Sequence, residues 1–329
     1  MRTITYREAI REALREEMRR DETVFLMGED IGVFGGCFGV TKGLQDEFGA
    51  ERVKDTPISE LAIMGGAVGA AIAGMRPVPE IMFSSFAGCC MDEIYNKAAK
   101  YRYIHGGLFK VPVTVRMAMG IIGGLGAEHS QSNEGMFMNC PGLKLVMPST
   151  PYDAKGLLKT SIRDDNAVLF FEHCQLYDMV GEVPEAEYLI PLGKADVKRE
   201  GKDVTVVASS LMLHRSLAAA EKLADEGISV EVVDPRTMCP FDKKTVIDSV
   251  EKTGRMVLVY EGNKTGGIGS EIAAIVAEEA FHLLRAPIRR VATPDVPLPS
   301  SKYLEQFLIP NERDIVEAVR EIYRERTRV

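Results

Sequence analysis

The feature that most constrains this chain is a repeating rhythm of short, continuously apolar runs separated by helix-length segments. Val24-Phe25-Leu26-Met27 is the first such run. Others follow at 77–83, 111–117, 143–147 and 167–171, then at 204–208, 230–233, 256–260 and 288–291. A strand with one wet face alternates apolar and polar residues, whereas these runs do not alternate, so both of their faces must be covered. Strands of that kind joined by helices specify α/β architecture with parallel sheets. The helical segments are read at 41–48, 60–75, 91–105 and 153–162, after an N-terminal amphipathic pattern carried by Ile4, Ala9, Ile10, Ala13 and Leu14. A chain of 329 residues exceeds what one core usually serves. Between 182 and 198 the periodicity weakens and Pro184 and Pro191 appear. The expectation is therefore two open parallel-sheet α/β domains, 1–185 and 201–329, joined by a linker at 186–200.

Composition narrows the function. There are 40 Lys and Arg against 48 Asp and Glu, a net charge of -8, with no basic stripe, so nucleic acid is not an expected partner. The N-terminal segment lacks an apolar signal core and carries Glu8, Glu12, Glu16 and Glu17, unlike secretory or transit peptides. The longest weakly polar run, 61–75, holds Gly65, Gly66, Gly69 and Gly74 and falls short of the roughly 20 apolar residues a membrane span needs. It reads as a buried helix. Six cysteines at 37, 89, 90, 140, 174 and 239 form no C-x-x-C pair, which argues against a zinc site or a disulfide framework. A cytoplasmic protein with no membrane association is expected.

In open parallel sheets ligands bind beyond the carboxyl ends of the strands. That rule selects Gly28-Glu29-Asp30, the turn 55–60, the segment after Phe83 and the glycine-rich stretch 120–131. Glu60 stands at the head of an otherwise apolar helix. An acid there gains from the helix dipole, yet a carboxylate on a nearly buried helix can also exchange a proton with a ligand, since burial raises a carboxyl pKa towards the working range. His129 lies among glycines 120, 123, 124, 126, 135 and 142, where a solvated loop histidine competes with a proton shuttle. His105, His173, His214 and His282 have no comparable setting. G-x-G-x-x-G, the P-loop and the G-x-S-x-G elbow are all missing, which weakens dinucleotide, nucleotide and acyl-hydrolase readings.

The strings MGEDIG, DTPISE, EHSQS, PGLKLVMPSTPYDAKGLL, FFEH, VDPRTMCPFD, KTGRMVLVYEG and GGIGSEIAA, in this order, resemble the β subunit of the thiamine-diphosphate-dependent decarboxylating component of 2-oxoacid and acetoin dehydrogenase complexes. MFSSFAGCCMDEIYNKAAKYRY and FFEHCQLYD are most similar to the acetoin branch, with pyruvate dehydrogenase next. The resemblance implies a pyrimidine-binding transketolase-like domain followed by a transketolase C-terminal-like domain. In it Glu60 matches the acid that hydrogen-bonds the ring nitrogen of the cofactor's aminopyrimidine, and Phe86 the aromatic residue against that ring. Glu29 falls with them at the cofactor. His129 matches the histidine that moves protons during acyl transfer to a lipoyl group. A structural monovalent cation, K+, would map to Val113, Ser161, Ile162, Asp164 and Asn166, although Asp164 and Asn166 could equally cap a helix end.

The family's Gly-Asp-Gly motif for diphosphate and Mg2+ is absent. The resemblance therefore implies that an α subunit holds Mg2+ and the diphosphate, in an α2β2 heterotetramer that docks on a dihydrolipoyl acyltransferase core, and that this chain alone is inactive. Ser84-Ser85, Glu93 and Asn133-Glu134-Gly135 depart from common family residues, which leaves the choice among acetoin, pyruvate and branched 2-oxoacids open. A non-catalytic assembly subunit is the alternative class, and a nicotinamide oxidoreductase a third.

Overall fold

The structure is a computed structural model, and residues 1–325 of it are described here. The chain forms two compact units. The first comprises Met1–Gly120 and Phe137–Leu192, and the second Ile121–Met136 and Gly193–Val329. The units are thus not successive halves of the sequence, because the stretch around His129 belongs with the second.

In the first unit, β1 (Arg2–Thr5) pairs antiparallel with β8 (Val180–Val183). Its main sheet holds β2 (Val24–Gly28), β3 (Val53–Asp55), β4 (Arg76–Phe83), β5 (Thr114–Met119), β6 (Lys144–Val146) and β7 (Val168–His173). These six run in the order β6-β7-β5-β4-β2-β3, every neighbouring pair parallel. β5 and β7 are buried at every position, as continuous apolar runs require. The helix Tyr6–Arg20 starts at a capping box made by Thr5 and Glu8 and turns Tyr6, Ala9, Ile10, Ala13 and Leu14 inward. It packs along the helix Pro151–Arg163, whose buried Lys155 and Lys159 each reach Glu16 at 2.6 Å. The acids that mark the N-terminus in the sequence thus neutralise buried lysines.

Two segments differ from expectation. The single helix expected at 91–105 is broken into a 3-10 segment (Ser84–Cys90), a π-helical turn (Glu93–Ala98) and a short α-helix (Tyr101–Ile104). The wide turn keeps buried Glu93 beside Gly65, its carboxyl carbon 3.7 Å from where a Cβ would stand, and bonds it to Lys97. The apolar helix Glu60–Ile72 is buried only on the side of Ile63, Met64, Ala67, Val68 and Ala71, while Leu61, Ala62, Gly66 and Gly69 face outward.

In the second unit β9 (Asp196–Arg199), β10 (Val204–Ala208), β11 (Val230–Asp234), β13 (Met256–Asn263) and β14 (Arg289–Thr293) are ordered β14-β13-β10-β11-β9. All pairs are parallel except β11–β9. A short strand, β12 (Thr237–Cys239), follows β11. The antiparallel edge strand β9 lies inside the stretch read as linker. Its Asp-Val-Lys-Arg sequence is half-buried throughout and leaves no apolar run to recognise. Helices Leu211–Ala224 and Glu312–Arg324 cover the sheet through Met212, Leu213, Ala219, Leu223, Ile315, Val319 and Ile322.

Candidate active site

Three of the residues singled out from the sequence lie in the first unit. β2 ends at Gly28, and the chain turns through Asp30, which takes a positive φ of 55°. The turn is held by Gly36 N donating to Asp30 O at 2.8 Å and by Thr41 Oγ1 donating to Ile31 O at 2.6 Å. Gly32 donates its N–H to Asp55 Oδ1 at 2.6 Å, and a Cβ there would stand 2.3 Å from the other carboxylate oxygen, so any larger residue would have to displace the Asp55 side chain. This fixed turn presents Glu29, which is 9% exposed. Its Oε1 is buried and accepts no hydrogen bond. Burial raises the Glu29 pKa, and the negative charges of Glu60, Asp30 and Glu80 add to the effect. Glu60 opens its helix, half-buried, after Ser59. Glu60 also acts on buried Cys90, whose thiol burial pushes up to about 12, with the Glu60 charge contributing next. Glu29, Glu60 and Cys90 therefore share one electrostatic neighbourhood. Thr56 Oγ1, between Asp55 and Glu60 in sequence, is a second buried oxygen without a partner.

Phe86 lies in the 3-10 segment after β4, half-buried, edge-on to Phe83 with centroids 5.7 Å apart. Phe83 packs edge-on against Phe38 at the same spacing, and Phe38 stacks on Tyr177 at 4.9 Å. The row thus runs from the glycine-rich turn to the segment after β4.

The central strands also hold a buried ion cluster that has no local sequence signature. Parallel pairing places Glu80 of β4 opposite Arg116 of β5, and Glu172 two positions along on β7. Arg116 is 2% exposed and grips Glu172 with two bonds of 2.7 Å while also bonding Glu80. Tyr177 donates to Glu172 at 2.9 Å. Burial opposes the Arg116 charge, but Glu172 and Glu80 outweigh it and hold the guanidinium protonated.

His129 lies in the second unit, half-buried, in a turn closed by its own N–H to Gly126 O at 3.4 Å. The same segment brings in Glu134, 1% exposed, near Glu261 of β13. Burial pushes the Glu134 carboxyl up to about 7, with the Glu261 charge adding to it, and its Oε2 has no partner. The two acids help line a cavity of about 440 Å³ within this unit, together with Ser132, Asn263 and Asp295. Sequence reasoning did not pick them as site residues. Glu134 lay in the Asn133-Glu134-Gly135 departure and Glu261 at the end of an apolar run, and nothing local links the two.

Residues 2–179 match the transketolase pyrimidine binding domain and residues 193–315 the transketolase C-terminal domain. Over 98% of its length the chain is 47% identical to the acetoin:2,6-dichlorophenolindophenol oxidoreductase subunit beta of Bacillus subtilis (strain 168), covering 97% of that protein. It is 48% identical to the 2-oxoisovalerate dehydrogenase subunit beta and 47% identical to the pyruvate dehydrogenase E1 component subunit beta of the same organism, covering 98% of this chain and 99% of each relative. This chain belongs to the family of dehydrogenase E1 β subunits. A solved structure described as a split gene transketolase, inactive beta4 tetramer, superposes with a TM-score of 0.80 at 26% identity, over 97% of this chain and 98% of that one. The transketolase-like two-domain α/β fold follows from both comparisons.

Within this E1 β chain several of the oxygens considered for a monovalent cation already face cationic side chains. Arg76 donates to the carbonyls of Ile162 at 3.1 Å and Asp164 at 3.0 Å. Lys144 bonds the Asp164 carboxylate, and Arg102 donates to Asn166 Oδ1 at 2.8 Å. Asp164 Oδ1 accepts from Asn166 N at 2.9 Å, Val113 O accepts from Val168 N at 2.9 Å, and Ser161 Oγ donates to Leu157 O at 2.7 Å. Cationic side chains thus already engage the Ile162 carbonyl, Asp164 and Asn166, and no role is assigned to a metal ion. His173 Nδ1 accepts from Gln175 N at 3.1 Å, a local cap at the end of β7. All six cysteines are free thiols. Among the described residues no helix is long and apolar enough to cross a membrane.

Proposed function

We propose that this chain is the β half of a two-chain component that cleaves acetoin or decarboxylates a 2-oxoacid with thiamine diphosphate and passes the acyl group to a lipoyl group. The observation that carries the reading is Glu29, a buried carboxyl with an orphaned oxygen beside Glu60 at the carboxyl end of β2, inside the region matching a pyrimidine binding domain. Two acids and the unpartnered Thr56 hydroxyl fit a heterocycle that offers N–H donors and can take up a proton on a ring nitrogen.

When bound, thiamine diphosphate supplies a carbon that adds to a carbonyl and holds the electrons released as the neighbouring bond breaks. Glu60 holds and exchanges a proton at the ring nitrogen of the pyrimidine. Glu29, whose pKa is raised by burial and by its acidic neighbours, offers its unbonded carboxyl oxygen to the same ring. Phe86 presents an apolar surface to the ring and excludes water. His129 moves the proton at the acyl-transfer step.

Partnership with an α chain is supported by apolar side chains left in the open near this end of the sheet. Val33 and Phe34 in the glycine-rich turn are 91% and 68% exposed, and Ile58 before the Glu60 helix is 82% exposed. In this reading the α subunit covers them and holds the diphosphate and Mg2+, forming α2β2, and the assembly serves a dihydrolipoyl acyltransferase core. The identities to acetoin, 2-oxoisovalerate and pyruvate relatives span one percentage point and do not rank the substrates.

In the reconstituted α–β enzyme, Glu60→Gln is expected to lower kcat by roughly 10²- to 10⁴-fold, the range for losing a positioned acid–base group, with assembly intact by size-exclusion chromatography. Turnover within threefold of wild type would overturn the assignment.

A further inference from the structure

The segment Ile121–Met136 carries His129 and packs with the second unit, although the chain on both sides of it belongs to the first. Its attachment depends heavily on one carboxylate. Glu261, 8% exposed on β13, accepts from Ile121 N at 2.8 Å and from Ser132 Oγ at 3.0 Å, both at Oε1. A single oxygen therefore closes the span from Ile121 to Ser132, with His129 inside it. Glu305 adds a bond from Gly124 N at 3.2 Å. The far end of the segment is pressed onto β13. A Cβ on Gly262 would stand 2.9 Å from Ser132 O and 3.3 Å from Glu134 Oε1.

The glycines of this segment give it little stiffness of its own, since Gly123, Gly124 and Gly126 all hold positive φ. The location of His129 then depends on what holds the span, its clipped ends included. A carboxylate acceptor is well suited to this, because hydrogen bonds to a charged group are worth more than neutral ones and this one is shielded from water.

The geometry points to Glu261 as a positioning residue that fixes the His129 loop and thereby governs acyl transfer to the lipoyl group more strongly than the steps before it. This rests on the function proposed above. In the transfer the lipoyl S–S bond breaks, and one sulfur becomes bonded to the acyl carbon. The electron pair that reduces the disulfide comes from the substrate-derived carbon, which would lose its hydroxyl proton and its bond to the cofactor as the acyl group leaves. The other sulfur takes a proton, which a correctly placed His129 can supply. Turnover measured with a dye such as 2,6-dichlorophenolindophenol bypasses that sulfur and needs no such proton.

The test uses the α–β complex and compares dye-coupled turnover with acyl transfer to a free lipoyl domain. Glu261→Ala should lower transfer at least tenfold more than dye turnover, chiefly in kcat and not in the KM for the lipoyl domain. Glu261→Gln, whose amide oxygen can still accept both bonds, should restore most of the loss. Ser132→Ala removes one of the two bonds and keeps the acid, so it should shift the same ratio by a smaller factor even where Glu261→Ala fails to assemble. Equal losses in both reactions, or none in either, across Glu261→Ala and Ser132→Ala would overturn the positioning role. A wild-type complex with no activity in either reaction would instead count against the function proposed for the chain.

Discussion

The two units bury their acids in opposite ways. In the first, Glu80 and Glu172 converge on Arg116, a guanidinium that is 2% exposed and satisfies both. In the second, Glu134 is buried with the Glu261 charge adding to the rise in its pKa, and it keeps one oxygen unbonded. Burial raises the Glu172 pKa while Arg116 beside it pulls the other way, and the bidentate pair serves as scaffold. A buried carboxyl given only another acid moves its pKa towards neutrality, where it can respond to its surroundings. Glu29 belongs with the second kind, although it lies in the first unit. The Arg116 counter-charge distinguishes Glu172 from Glu134 and Glu29, on which the neighbouring charges that act are acidic.

The sharpest way to break this contrast is to take the cation away. Arg116→Met should cost about 3–5 kcal/mol, because it strands the buried Glu172 and the half-buried Glu80 without their cation. The variant's unfolding midpoint should then also fall as pH rises from 5 to 8, since Glu80 and Glu172 would have to ionise unpaired. A midpoint within a few degrees of wild type and without that slope would show that Arg116 does not organise the cluster.

The next effect is smaller and turns on Glu134. Its folded pKa of about 7 lies above the ordinary 4.5, so the folded chain keeps a proton that the unfolded chain has released. The stability this gives is fully present below pH 4.5 and is lost as pH climbs through 7, an amount on the order of 3 kcal/mol. Glu134→Gln, neutral at all these pH values, should flatten that decline and leave the variant more stable than wild type at pH 8. Parallel denaturation curves for the two proteins from pH 5 to 8 would refute the shift.

The smallest effect is expected where acids are paired but wet. Glu47 bonds Arg15 at 2.8 Å and Arg19 at 2.7 Å on the surface, and Glu47→Ala should change stability by no more than about 1 kcal/mol, less in high salt. A larger loss in urea titration would mean that pairing matters as much outside as inside.

Much of the fold is legible in the chain because its strands are apolar without interruption. The runs at 167–171 and 204–208 correspond to β7 and β10 nearly residue for residue. β9 escapes notice because a polar edge strand carries no such signature, and the π-helical turn because its widening depends on contacts of Glu93 with Gly65 and Lys97 rather than on periodicity. At the candidate site, the rule of strand carboxyl ends selects the places that hold Glu29, Glu60 and His129, while Phe86 is named only by the family resemblance. Glu134 and Glu261 stand far apart in sequence, and the Arg116 cluster draws on three strands. Their meaning arises only when packing brings them together.

The Arg116 cluster also bears on how this chain can change over generations. One guanidinium answers two acids and, through Glu172, a tyrosine hydroxyl. Any single replacement among Glu80, Arg116 and Glu172 therefore leaves a charged or polar group stranded, even where a fully apolar trio of similar volume would pack well. The path from one arrangement to the other crosses less stable intermediates, so the three positions are held together as a set and would have to be exchanged as one.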